Sequence, residues 1–130
     1  MTRCRGTIAR RVLVVGVTLG AVACGAASGH TADRQVERGD AARGKSAIRA
    51  HGGGSCHQIP GVPGGDGLVG PPIDHWAGRR IIAGEVPNDP ERPITWLTVP
   101  QSIEPGTAMP NMGVSDGEAR DVAACLYTLR

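Results

Sequence analysis

Large apolar side chains are too scarce in this chain for it to build an ordinary core. Phenylalanine is absent and Trp76, Trp96 and Tyr127 are the only aromatics, while 130 residues include 20 glycines and 10 prolines. A domain of about 100 residues buries a modest share of its surface and needs a staple when such side chains are few. The cysteines supply no disulfide framework, because Cys4 and Cys24 lie in or beside an amino-terminal leader and only Cys56 and Cys125 remain. A Cys56–Cys125 bridge would be the alternative in an oxidising compartment. Otherwise the chain needs some other buried body.

The leader is read from Arg3, Arg5, Arg10 and Arg11, followed by an apolar run over 12–23 that ends in small residues. This is the pattern of a signal peptide, expected over 1–24, and the run is too short for a transmembrane span. Ala21-Val22-Ala23-Cys24 resembles a lipobox, so lipidation of Cys24 and membrane anchoring are expected. Fourteen Lys and Arg face twelve Asp and Glu in the whole chain. Four of the basic residues belong to the leader, so ten remain against twelve and the mature part is slightly acidic. Its basic residues crowd at Arg34, Arg38, Arg43, Lys45 and Arg49, a face that is solvated or steers an acidic partner. Nucleic acid is not an expected partner.

After a small, polar linker over 25–34, helix is expected over 35–50, with Gly39 and Gly44 placed where another helix approaches closely. Gly52, Gly53 and Gly54 end it. The segment 59–72 is too rich in Gly and Pro for a helix or central strand, which suggests a backbone wrapped around something. A short helix is expected over 73–83. Another starts at Asn88-Asp89-Pro90, where Asp89 caps and Pro90 suits the first turn, and Pro100 stops it. The last helix has a capping box at Ser115 and Glu118. Ala119, Val122, Ala123, Leu126 and Leu129 repeat along one face. No segment alternates as a half-buried strand would, so the expected class is all-α, about four helices with long Gly/Pro-rich loops.

Cys56-His57 is the second half of the Cys-x-x-Cys-His sequence that attaches haem covalently. The thiol adds to a vinyl group and the imidazole ligates iron. Gly53 stands where the first cysteine belongs. A second axial ligand must come from far along the chain, and Met109, stiffened by Pro110, is suited to it because a thioether raises the reduction potential. Met112 is the fallback. His30, His51 and His75 read as solvent-facing or locally bonded.

From about Gly39 to Arg130 the chain resembles a small bacterial class I cytochrome c, close to the c-type domains associated with terminal oxidases. The stretches that carry the resemblance are 39–45 (GDAARGK), 54–61 (GSCHQIPG), 67–72 (GLVGPP), 105–110 (PGTAMP) and 118–124 (EARDVAA). The resemblance implies a cytochrome c-like domain over 35–130 around one haem. It implies that the His57 ring donates to the Pro71 carbonyl, which fixes its tautomer, and that Arg79 lies near a haem propionate. Trp96 serves a propionate through its indole N–H or simply packs in the core. Gly44 lets the first helix cross the last near Leu126 and Tyr127.

The expected function is that of an exported monohaem c-type cytochrome, periplasmic or anchored facing the periplasm. It passes single electrons to or from a terminal oxidase or another redox protein and breaks no substrate bond. Cys56, His57, Met109, Pro71, Arg79 and Trp96 form the expected haem site, with His57 and Met109 on the iron. Because Cys56 is the only thiol of the attachment motif, a single thioether is expected. Non-covalent haem and a degenerate haem-free lipoprotein are the alternatives, with weak peroxidase activity a further one.

Overall fold

The computed structural model describes residues 35–130. The leader, Cys24 and its lipobox, the 25–34 linker, His30 and Arg34 lie outside the described residues. Four α-helices, two very short strands and two 3-10 turns make up the regular structure of the described part.

Helix α1 spans Ala41–Ala50, later than the expected start at 35. Arg38 takes φ 62 in the left-handed region, which breaks any helix running through it. The helix begins where the Asp40 side chain accepts from the Arg43 N–H at 2.8 Å. Gly52, at φ 72, then ends the turn after α1 and lets the chain restart as the four-residue helix α2, Gly53–Cys56.

The short helix expected over 73–83 is replaced by a 3-10 turn, Trp76–Gly78, and a hairpin. Strands β1, Ile81–Ile82, and β2, Val86–Pro87, pair antiparallel, so the expectation of a chain without strands is corrected here. The cause is local. The Glu85 N–H donates to the Ile82 carbonyl at 3.1 Å, and both central residues, Ala83 and Gly84, have positive φ. That backbone twist matches a two-stranded hairpin and excludes a helix.

Helix α3 spans Arg92–Thr98. The helix starts later than the expected Asn88-Asp89-Pro90, with Glu91 at the cap position, yet Asp89 still receives the N–H groups of Glu91 and Arg92 at 3.2 and 3.1 Å. Helix α4 spans Asp116–Leu126 and carries the full capping box of Ser115 and Glu118. Its Ala119, Val122, Ala123 and Leu126 are buried as the periodicity predicts, and they join Val36, Ile48, Ile59, Trp76 and Ile94 in one core.

The axis of the domain is the α1–α4 crossing. At Gly44 a Cβ would overlap the Asp121 carbonyl and lie 2.9 Å from Cys125 Cβ. The close approach is therefore at Asp121 and Cys125, one turn earlier than Leu126 and Tyr127. Gly39 is pressed likewise, since a Cβ there would be 2.7 Å from both Ala124 Cβ and the Arg120 carbonyl. Arg43 grips Asp121 with two hydrogen bonds of 2.7 and 2.9 Å, and the Asp40 N–H adds a third at 2.7 Å. One member of the basic face is thus a strut between helices. Asn88, only 3 % exposed, ties the other end together: it accepts from the Tyr127 hydroxyl at 2.7 Å and donates to the Trp76 and Arg79 carbonyls.

Two carboxylates at this crossing make stability pH-dependent. Hydrogen bonds from Arg43 hold Asp121 below its ordinary value. The Ser115 hydroxyl and backbone N–H, then His51, lower Glu118 from 4.5 to about 2. Depressed carboxyls stabilise the fold above their unfolded values and lose that contribution as pH falls through their folded ones. The melting temperature should therefore hold above pH 4.5 and fall as pH drops toward about 2. Glu118→Gln, which preserves the capping pattern, should flatten part of that slope; an identical slope in the variant would contradict the assignment.

Candidate functional site

Helix α2 ends at Cys56, and His57 departs from it in an extended conformation at φ −118, ψ 147. That break lets two adjacent side chains line one cavity of about 270 Å³. A deeper apolar cavity of about 110 Å³ adjoins it. Gly53, His57, Trp96, Met109 and Met112 line both, so the two form one cleft. Its inner wall is the core itself, with Ile48 and Leu126, and its outer rim includes Pro71 and Pro110.

The Gly/Pro-rich loop is what holds His57. Its backbone wraps α2: the Gly67 N–H donates to the Gly54 carbonyl at 3.0 Å and the Gly70 N–H to the Cys56 carbonyl at 2.7 Å. The wrapped object expected from the sequence is therefore, in the first place, helix α2. The imidazole rests directly on Gly70, where a Cβ would overlap Cε1 and lie 2.5 Å from Nδ1. A carbonyl only accepts, so the 2.8 Å contact between Nδ1 and the Pro71 oxygen is an N–H donation. With that proton on Nδ1, Nε2 is the ring nitrogen left to ligate a metal.

Met109 faces the same cleft from the far loop. Its N–H donates to Thr107 Oγ1 at 3.1 Å, and its carbonyl accepts from Gln101 Nε2 at 2.9 Å. The backbone on both sides of the thioether is thus tied down, by two residues that the sequence alone did not single out. Met112 lines the cleft too and is 39 % exposed. Trp96 is half-buried in the wall. Arg79 donates to the Pro72 and Asp74 carbonyls, bracing the loop after Pro71, and its guanidinium stands 5.5 Å over the Trp76 ring.

Trp76 is the residue the sequence reading missed. It is 5 % exposed and lines the deeper cavity. Its indole Nε1 is buried and has no hydrogen-bond partner among the described residues. Such a donor costs about 1–3 kcal/mol if left unmet, so an acceptor from a water or a bound group would stabilise it. The sequence signal was weak: an indole N–H has no local partner pattern.

Cys56 and Cys125 are both free thiols, so the disulfide alternative does not hold in this structure. Burial pushes the Cys125 thiol up, and it packs at the α1–α4 crossing as a small apolar side chain. Cys56 is the cysteine that faces the cleft. Gly53 faces it beside Cys56, and a Cβ there would lie 3.2 Å from Ile48 Cγ2. No family model, curated protein or solved structure matches this chain.

The donor set and surroundings fit a haem. A thiol, a tautomer-fixed imidazole and a tethered thioether border one apolar cleft. The wall also holds an orphan N–H of the kind that a buried carboxylate or other acceptor would satisfy.

Proposed function

We propose that this chain is an exported monohaem c-type cytochrome with a cytochrome c-like fold, acting as a one-electron carrier for a terminal oxidase or another redox protein, with membrane anchoring through lipidated Cys24. The observation that carries this reading is the convergence of Cys56, His57 and Met109 on one apolar cleft, with His57 Nδ1 donating to Pro71. When bound, the haem supplies a ferric/ferrous couple, and the protein supplies ligation, burial and tuning.

The chain's own residues divide that work. His57, held by Gly70 and Pro71, would ligate the iron through Nε2. Met109, held by Thr107 and Gln101, would ligate it through sulfur. Cys56 would be the single covalent anchor. The apolar wall, with Trp96, excludes water and so keeps reorganisation small during electron transfer. Trp76, through its orphan N–H, and Arg79, whose charge stands over the same ring, are the residues that would hold the haem carboxylates.

Purification of the mature chain from an exporting host with haem maturation genes tests the reading. A low-spin spectrum with methionine ligation is expected, and a colourless protein would overturn it. Trp76→Phe sharpens the test. If the indole N–H serves a haem carboxylate, the variant should lose haem under mild denaturant at least several-fold more readily than the parent. If the donor is a true orphan, its removal should leave haem retention unchanged and the fold as stable or more so.

A further inference from the structure

His51, just past the carboxyl end of α1, makes two long-range contacts at the edge of the cleft. Its Nδ1 lies 3.2 Å from the Met112 carbonyl oxygen and its Nε2 lies 3.2 Å from Glu118 Oε1. Both partners are acceptors, so a neutral ring, with its single N–H, donates to one of them and the imidazolium donates to both. The Glu118 carboxylate is itself held by Ser115. Its other oxygen accepts from the Ser115 N–H at 3.0 Å and the Ser115 hydroxyl at 2.6 Å, which seats it on the amino end of α4. The ring is about three-quarters buried. One side of this clasp is therefore the rigid α1–α4 pair, and the other is the backbone of the loop that carries both methionines.

The two thioethers compete. Met109 and Met112 line the same cleft with His57, and only Pro110 and Asn111 separate them, so a modest swing of the backbone would exchange one sulfur for the other. We propose that His51 is a positioning residue which, by pinning the Met112 carbonyl to α4, holds the 109–113 loop so that Met109 and not Met112 supplies the axial sulfur; the ligand-selection half of this rests on the haem reading above. Neither contact is with the bound group itself. The device works on the loop, and through the loop on the choice of ligand.

The test uses the full chain as purified, with and without His51→Ala. Loss of the clasp should speed amide hydrogen exchange over 109–114 by roughly tenfold, with the amides of the α1 and α4 core unchanged. Unchanged exchange in that loop overturns the clasp. Should the alanine variant fail to fold, His51→Gln keeps one donor and should show a smaller acceleration, and again no acceleration overturns the proposal. The second readout is the proton NMR spectrum of the reduced haem protein, where a ligating methionine methyl is strongly shifted. The parent should give one such methyl, and His51→Ala should give two, reduced to one by Met112→Leu in the same chain. A single unchanged methyl in His51→Ala overturns ligand selection. A chain purified without haem overturns the haem reading and ligand selection together, whereas the clasp still stands or falls on the exchange data.

Discussion

Gly70→Ala should dislodge His57 and cost the chain about 10–100-fold in affinity for the proposed haem. The added methyl would overlap the imidazole at Cε1 and crowd Nδ1 at 2.5 Å. The ring cannot slide aside and keep its 2.8 Å bond to the Pro71 carbonyl. Nor can the loop back away, because the Gly70 N–H is itself bonded to the Cys56 carbonyl at 2.7 Å. The three constraints meet at one residue, so a single methyl sets ligand geometry against loop closure. Haem content per protein and the axial-ligand spectrum are the readouts. The global fold should be less affected than the site, since Gly70 lies outside the core. Full haem content with normal histidine ligation in the variant would contradict the role given to Gly70.

Gly44→Ala should be the most destabilising single-methyl change in the domain. The methyl would overlap the Asp121 carbonyl, which is backbone and cannot rotate away, and crowd Cys125. Helices α1 and α4 must separate to admit it, which stretches the Arg43–Asp121 pair as well. Overpacking of this kind costs about 3 kcal/mol, a large share of the 5–15 kcal/mol typical of a whole domain. In a domain of this size the loss corresponds to a melting temperature lower by roughly 10–20 °C. Gly117→Ala is the matched control. It sits in α4 with nothing near a prospective Cβ, so the ordinary helix preference for alanine should leave it neutral or stabilised by up to about 1 kcal/mol. Thermal melts of the two variants decide the matter, and similar effects at both positions would mean that the α1–α4 contact is not the constraint described.

The parts of the fold legible in the sequence were those with local causes. The capping box of α4, its buried face and the Asp89 cap of α3 are short-range patterns, and all three appear in the structure. Gly39 and Gly44 were legible as close-approach positions, although the place of the crossing on α4 depends on helix packing and was read one turn too late. The delayed start of α1 was not visible, because left-handed backbone at Arg38 has no residue signature. The hairpin at 81–87 was missed for the same reason: Ala83 is an unusual choice for a positive φ, so the turn resembled helix.

At the site, the pairing of His57 with Pro71 was legible through the resemblance to class I cytochromes, and the contact is present at 2.8 Å. What stayed hidden was tertiary. The unsatisfied indole of Trp76, the Asn88 link to Tyr127, the Gln101 tie to Met109 and the His51 clasp all join residues distant in the chain whose side chains carry no spacing signal. His51 was read as solvent-facing or locally bonded, and its partners instead lie on the methionine loop and on α4.

Gly53 remains the feature that separates this chain from a two-cysteine attachment site, and the structure makes its replacement feasible. A side chain there meets Ile48 Cγ2 at 3.2 Å, a contact that a small shift of Ile48 relieves. Gly53→Cys should therefore raise covalent haem yield in an exporting host if attachment limits loading; an unchanged yield would locate the limit elsewhere. The central claim is tested most directly by a pyridine haemochrome spectrum of the purified parent chain combined with its intact mass after denaturation. The account predicts one haem retained per chain, with the band position of a single thioether formed by Cys56. A chain of bare polypeptide mass with no haemochrome band would contradict it.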